Sequence, residues 1–189
     1  GRMYPRSKKL SPDDVIKEAD ALGYQHVEHT FEPVFDEHSK VLILGSFPSV
    51  KSREEGFYYG HPQNRFWRLL ARLTDEEIPE TIEEKKTLLL KHQIAIWDVV
   101  HSCDIVGSSD SSIKNVVPCE LEKVLSSSPI RQIYANGGKA WQLYHRYCEK
   151  ETGREAVKLP STSPANAIFT LDRLTAVWGE ELFGKQNAK

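Results

Sequence analysis

Three short stretches carry side chains suited to holding a flat, polar ring and a charged backbone. In REEGFYYGHPQNRFW (53–67), Gly56 and Gly60 bracket Phe57, Tyr58 and Tyr59, and His61-Pro62 precede Asn64. An aromatic face stacks on a heterocycle with a worth of about 1–3 kcal/mol. An amide donates and accepts at once, which suits the edge of such a ring. The ordinary structural alternative is that the aromatics cap the core while Asn64 caps a helix. In KLPSTSPANA (158–167), Ser161, Thr162 and Ser163 lie between Pro160 and Pro164. Small residues let a ligand approach the backbone, and hydroxyls can hold phosphate oxygens; the alternative is a plain Ser-Pro turn. In KVLILGSFPSVKS (40–52), an apolar run stops at Gly45 and turns through Ser46, Phe47, Pro48 and Ser49, as a ligand-facing turn does.

These stretches need a frame. Four β-branched or apolar runs, 40–44, 93–100, 130–135 and 155–160, each lead into a polar turn: GSFPS, HSCD, NGG and STSP. Helical patterns lie between them. NRFWRLLARL carries a stripe of Phe66, Trp67, Leu69, Leu70 and Leu73. TIEEKKTLLLKH and PCELEKVLSS are amphipathic, with Pro118 able to start the latter, and GKAWQLYHRYCEK puts Trp141, Tyr144 and Cys148 on one side. Alternation of this kind predicts βαβ units and a parallel sheet covered on both faces. Ligands then bind beyond the carboxyl ends of the strands, so the four turns should gather at one edge. SPDDVIKEADALG (11–23) reads as a short helix with Ser11 as N-cap. The expected organisation is an N-terminal appendage (1–38) followed by one domain (39–189).

Composition narrows the classes. The 189 residues suit one core, with 39% hydrophobic and 28% charged residues. No run reaches the roughly 18 apolar residues of a membrane span, and no secretory leader pattern opens the chain. A net charge of −2 disfavours wholesale polyanion binding, though a local basic face suffices. Cys103, Cys119 and Cys148 fit neither a disulfide framework nor a zinc or iron–sulfur site, which points to buried thiols in a reducing cytoplasm. HVEH (26–29) lacks the metalloprotease spacing, and no Walker loop, dinucleotide fingerprint or G-x-S-x-G elbow is present.

Taken in order, GSFPSVKS, FYYGHPQNRFW and LPSTSPANA resemble the uracil-DNA glycosylase superfamily, most closely its hypoxanthine-DNA glycosylase branch and next the mismatch-specific uracil-DNA glycosylases. The resemblance runs from about Val41 to Trp178. It implies a three-layer α/β/α domain with a four-stranded, largely parallel sheet. It also implies hydrolysis of the N-glycosidic bond of a deaminated base flipped out of DNA, with no metal or organic cofactor; separately, a monomer acting on DNA is expected. By the same resemblance, Gly45, Ser46, Phe47 and Pro48 surround the flipped base and the water, and Tyr59 is the stacking platform. Pro160, Ser161, Ser163 and Pro164, with Thr162 and Ala165 in the same loop, grip the DNA strand; Asn64 assists catalysis.

Two departures stand out. Many superfamily members carry Asp or Asn where this chain has Phe47, which cannot do acid–base work, so the hypoxanthine-like branch is favoured over strong uracil excision. At Ala165 some relatives carry a bulkier wedge, so help in filling the gap left by the base must come from elsewhere. Asp98, at the end of the second run, is the strand-end carboxylate expected beside the cleft, as a water-positioning group or a loop cap. Lys51, Arg53, Arg65, Lys139 and Lys158 are candidate phosphate contacts. A non-catalytic nucleic-acid-binding module and a free-nucleoside hydrolase are the competing readings.

Overall fold

The four apolar runs become one parallel sheet whose two central-to-edge strands 41–45 and 94–98 are buried on both faces, while the strand at 156–159 exposes Lys158. VLILG (β2, Val41–Gly45) and IAIWD (β3, Ile94–Asp98) are buried at every position. They lie beside β6 (Gln132–Asn136) and β7 (Ala156–Leu159) in the order β3-β2-β6-β7, all parallel. The computed structural model describes residues 23–184. The helix expected before Gly23 lies outside them. A second, antiparallel sheet, β1 (Gln25–Glu28), β4 (Val100–Ile105) and β5 (Lys114–Pro118), has β4 in its centre.

Helices cover the parallel sheet, giving the three-layer α/β/α domain. They are α1 (Val50–Glu55), α2 (Phe66–Thr74), α3 (Ile82–Lys91), α4 (Glu122–Leu125), α5 (Gly138–Tyr147), α6 (Glu149–Thr152) and α7 (Leu171–Gly179). The stripe read from α2 is the buried one: Phe66, Trp67, Leu69 and Leu70 are in the core, with Leu73 packed against it. Helix α3 starts at a capping box in which Thr81 and Glu84 satisfy each other's backbone donors. On α5, Tyr144 and Cys148 are buried, and burial pushes the Cys103 and Cys148 thiols up to about 11, so both stay neutral.

Two expected elements differ. The run 93–100 is not one strand: Val99 N–H donates to Gly45 O (2.9 Å) and Val100 N–H to Ser46 O (3.1 Å), carrying the chain past the end of β2. It then joins the second sheet, so HSCD is strand rather than turn. Pro118 does not start a helix. It closes β5, opposite Val100, and the helix shrinks to Glu122–Leu125.

The chain before residue 39 is already tied into the domain. Strand β1 pairs with β4, Val34 exchanges two backbone hydrogen bonds of 3.0 Å with Ile96, and the buried His29 donates to Asp98 at 2.8 Å. Deleting residues 1–38 is therefore expected to lower the unfolding free energy by at least about 3 kcal/mol, the low end for stranding one member of a buried pair. Urea unfolding of the full and shortened chains measures this; equal midpoints and slopes would show that the segment adds nothing.

Candidate active site

A cavity of about 280 Å³ opens at the carboxyl edge of the parallel sheet, and each of the four strands contributes a residue to it: Gly45, Asp98, Asn136 and, just beyond β7, Ser161. The size is near the lower end for small-ligand pockets, about 300–1,000 Å³, and suits one flat ring. Register sets the floor, because Gly45 lies directly beside Asp98. A Cβ on Gly45 would stand 2.4 Å from Asp98 Oδ1 and 3.1 Å from Tyr59 Oη. Glycine there leaves the carboxylate and the phenol their places.

The aromatic triplet divides between the two readings of it. Phe57 and Tyr58 are core residues, with Tyr58 donating its hydroxyl to Glu32 O at 2.9 Å. Tyr58 also borders the cavity, and so does Tyr59. The Tyr59 ring stacks on Phe66 at 4.0 Å and 22°, so a buried aromatic supports it from behind. Its φ of 53° is a left-handed backbone that a bulky residue adopts only under strain. Its hydroxyl is buried without a hydrogen-bond partner. Burial, followed by the Asp98 charge, holds the phenol far above its ordinary pKa.

The serine-proline loop is joined to Asn64 by one side chain. Thr162 is fully buried. Its Oγ1–H donates to Asn64 Oδ1 (2.8 Å) and its Oγ1 accepts from Asn136 Nδ2 (3.0 Å), while its N–H donates to Asn136 Oδ1 (3.0 Å). Asn64 Oδ1 also accepts from Phe66 N–H (2.9 Å) at the mouth of α2. With both oxygen lone pairs engaged, the amide is fixed with Nδ2 as its remaining function, a donor. Arg65 completes the frame. Its side chain donates to the carbonyls of Thr162 (3.3 Å), Ser163 (2.8 Å), Asn166 (3.1 Å) and Phe169. Trp178 pins the start of the loop through Pro160 O (2.9 Å).

Two carboxylates reach the cavity. Asp98 is 3% exposed, with Oδ2 accepting from His29 Nε2. That imidazole packs against Phe31 and Tyr58 and meets the edge of Phe47. Asp110 opens a short helical turn (Asp110–Ser112) at the rim and accepts from Ser46 Oγ–H at 2.9 Å. Desolvation of this carboxyl raises its pKa, as does the Asp98 charge, while the Ser46 bond and Lys139 pull the other way.

Gly45, Ser46, Phe47, Pro48, Tyr59, Asn64, Asp98 and Ser161–Ala165 therefore meet in one place. Pro160 does not; it borders an adjoining, more open hollow of about 640 Å³ together with Lys139, Lys158 and Gly137. Thr162 is corrected from a DNA contact to an internal brace, since its hydroxyl is sealed in. Arg65 is likewise consumed by carbonyls, and Arg53 donates to Gly107 O (2.7 Å). Lys51 faces Glu55 at 3.7 Å, which leaves Lys139 and Lys158 beside the cleft. The two histidines of HVEH part company, His26 meeting Asp104 and His29 meeting Asp98. Asp110, His29 and Asn136 escaped the sequence reading, although Asn136 heads the NGG turn and Asp110 sits in the turn-forming run GSSDSS.

A cavity of one-ring size at the carboxyl edge of a four-stranded parallel sheet, walled by an aromatic-asparagine segment and a serine-proline loop, defines an α/β/α protein with a ligand cleft at its strand ends. The uracil DNA glycosylase superfamily model matches residues 32–180, and the chain belongs to that family. It is 36% identical over 149 residues to a hypoxanthine DNA glycosylase of Methanosarcina acetivorans, covering 78% of this chain and 93% of the relative. It is 32% identical over 152 residues to a hypoxanthine DNA glycosylase of Methanosarcina barkeri, covering 79% and 94%. A solution NMR structure of a candidate uracil DNA glycosylase from Methanosarcina acetivorans superposes with a TM-score of 0.68 at 33% identity, covering 82% of this chain and 96% of that one.

Thr162→Val keeps the shape of the brace and removes its hydrogen bonds. It is expected to cost about 1–3 kcal/mol by leaving Asn64 and Asn136 unsatisfied and to lower base excision disproportionately. Paired urea-unfolding and excision measurements check this, and excision at the parental rate would detach Thr162 from the site.

Proposed function

We propose that the chain is a monofunctional DNA glycosylase that hydrolyses the N-glycosidic bond of deaminated bases, with hypoxanthine the favoured substrate. The supporting observation is the convergence of Tyr59, the Asn64 amide and the Asp98 carboxylate on one cavity at the sheet edge. The names of the two Methanosarcina relatives point the same way.

The polarity of the groups fits deaminated rather than parent bases. Hypoxanthine carries N1–H where adenine has a bare ring nitrogen, and uracil carries N3–H where cytosine has one. An ionised carboxylate only accepts hydrogen bonds. Asp98, with Oδ2 taken by His29, offers Oδ1 to such an N–H and repels the lone pair of the parent base. Tyr59 supplies the stacking face, backed by Phe66. Asn64 Nδ2 donates to the departing purine, where charge develops, a role worth about 2.7–4 kcal/mol for a well-aimed donor. Ser46 and Phe47 border the same space.

DNA lies along the adjoining hollow, with Lys139 and Lys158 facing its phosphates and Ser161 and Ser163 beside them. Ala165 is too small to wedge the stack. Ile168, 78% exposed on the same loop, is the apolar side chain placed to enter it. Such wedges offset the few kcal/mol of unstacking. The Arg65 clamp on the neighbouring carbonyls keeps the loop stiff enough to press.

Duplexes bearing hypoxanthine, uracil or xanthine, incubated with the protein and then treated with alkali, test the reading. Strand breaks at hypoxanthine, exceeding those at uracil, are expected; binding without breaks at any of the three would overturn it. Ile168→Ala is expected to slow excision from paired duplex about tenfold while sparing single strands, since only the duplex must be unstacked. A parallel time course on both substrates measures this.

A further inference from the structure

Phe47 in the first loop lines the cavity and cannot take a proton, so the proton of the attacking water must go to another lining group. Five residues border both the base cavity and the phosphate-facing hollow: Asp110, Asn136, Ser161, Ser163 and Ala165. A nucleotide with its base in one space and its phosphates in the other has its C1′ between them, next to this shared wall. Among the described residues, Asp110 is the one carboxylate on it. Its Oδ1 is occupied by the Ser46 hydroxyl at 2.9 Å, which orients the carboxyl and leaves Oδ2 for a solvent molecule. Asp98 is worse placed: it lies on the floor beside Gly45, 3% exposed and tied to His29.

We infer that Asp110 is the catalytic carboxylate of this site, receiving a proton from the water that attacks C1′. The inference rests on the glycosylase reading above. The C1′–N9 bond breaks with its electron pair leaving on the purine, whose developing charge Asn64 Nδ2–H meets. The water oxygen bonds to C1′, and its proton passes to Asp110 Oδ2. The released base then takes a proton from solvent, and Asp110 returns its own to solvent. Before the transfer, the Asp110 charge also favours the oxocarbenium-like sugar.

The surroundings agree. The groups acting on Asp110 are the Ser46 hydroxyl, the Asp98 carboxylate and the Lys139 ammonium, with the neutral Tyr59 phenol nearby. Asp110 is exposed at the rim, yet the protein around its carboxyl and the Asp98 charge raise its pKa, which makes it a stronger base than a free carboxylate yet one that must be ionised to act. Activity therefore falls as pH drops through a value above the ordinary Asp figure of about 3.9.

Single-turnover excision of hypoxanthine from duplex DNA by Asp110→Asn tests this. A loss of about 100-fold or more is expected, together with loss of the acid limb of the pH profile and unchanged binding to the same duplex. Excision within about threefold of the parent rate would overturn the inference, that being far below the contribution of a general base. Ser46→Ala gives an independent reading, decisive should Asp110→Asn fail to fold. Removing a hydrogen bond to the ionised carboxyl moves the acid limb to higher pH, and an unmoved limb counts against Asp110. A parent protein inert on hypoxanthine, uracil and xanthine would instead defeat the glycosylase reading itself.

Discussion

The site depends on a single buried hydroxyl. Thr162 ties the end of β6, the loop after β7 and the mouth of α2 through Asn136 and Asn64. These segments are far apart in the chain, and nothing local obliges them to meet. An amide that bonded solvent instead would rotate among several orientations and expose oxygen or nitrogen to the cavity. Because Thr162 and the Phe66 N–H both address Oδ1, only the orientation with Nδ2 outward satisfies every buried donor. The chemistry of the cavity, a donor opposite an acceptor, follows from that constraint. Arg65 supplies the same service to the backbone, holding the loop by its carbonyls rather than by packing.

The second sheet has a related purpose. A carboxylate as buried as Asp98 is costly to leave without a donor. Its donor, His29, comes from the segment following β1, and β1 is anchored through β4. The three rings around the imidazole, Phe31, Phe47 and Tyr58, exclude water from the far side. Phe47 thus has a structural reason to be aromatic: it closes the space around the His29–Asp98 pair as well as lining the cavity. The unpartnered Tyr59 hydroxyl and its left-handed backbone are further local expense, tolerated where the fold around them is rigid.

Much of this was legible in the chain because it rests on local signals. Strands β2, β6 and β7 announce themselves as short β-branched runs, and the polar residues after them do meet at one edge. The stripe on α2 and the role of Asn64 at its start follow from helical periodicity and capping preference. The limits are equally physical. FYY contains no cue that Phe57 is core alone while Tyr58 and Tyr59 also border the cavity, because the turn at Tyr59 is made by a backbone torsion that sequence does not advertise. Thr162 reads as one hydroxyl among three, yet only burial makes it a brace. Pro118 is as suited to ending an edge strand as to opening a helix, and the pairing of β5 with β4 decided. Asp110 reaches the cavity wall, and His29 the back of Asp98, through contacts 64 and 69 residues away in sequence, to Ser46 and Asp98, which no window of local pattern spans.

The balance of charge around the cavity also bears on the kind of reaction it can favour. Asp98 and Asp110 line the cavity while Lys139 and Lys158 border the adjoining hollow, so the field is negative in the first space and positive in the second. That arrangement opposes a departing anion and favours a cationic sugar. Bond breaking must then run ahead of water attack, with the sugar positive between the carboxylates and the lysine-held phosphates. On the proposed reaction the purine leaves against an unfavourable field, and the Asn64 donor is the group that offsets it. A site built this way needs no polar residue at Phe47. The proposed reaction needs one fixed donor for the leaving base and one ionised acceptor beside C1′, and the fold fixes Asn64 through Thr162 and Phe66 and Asp110 through Ser46.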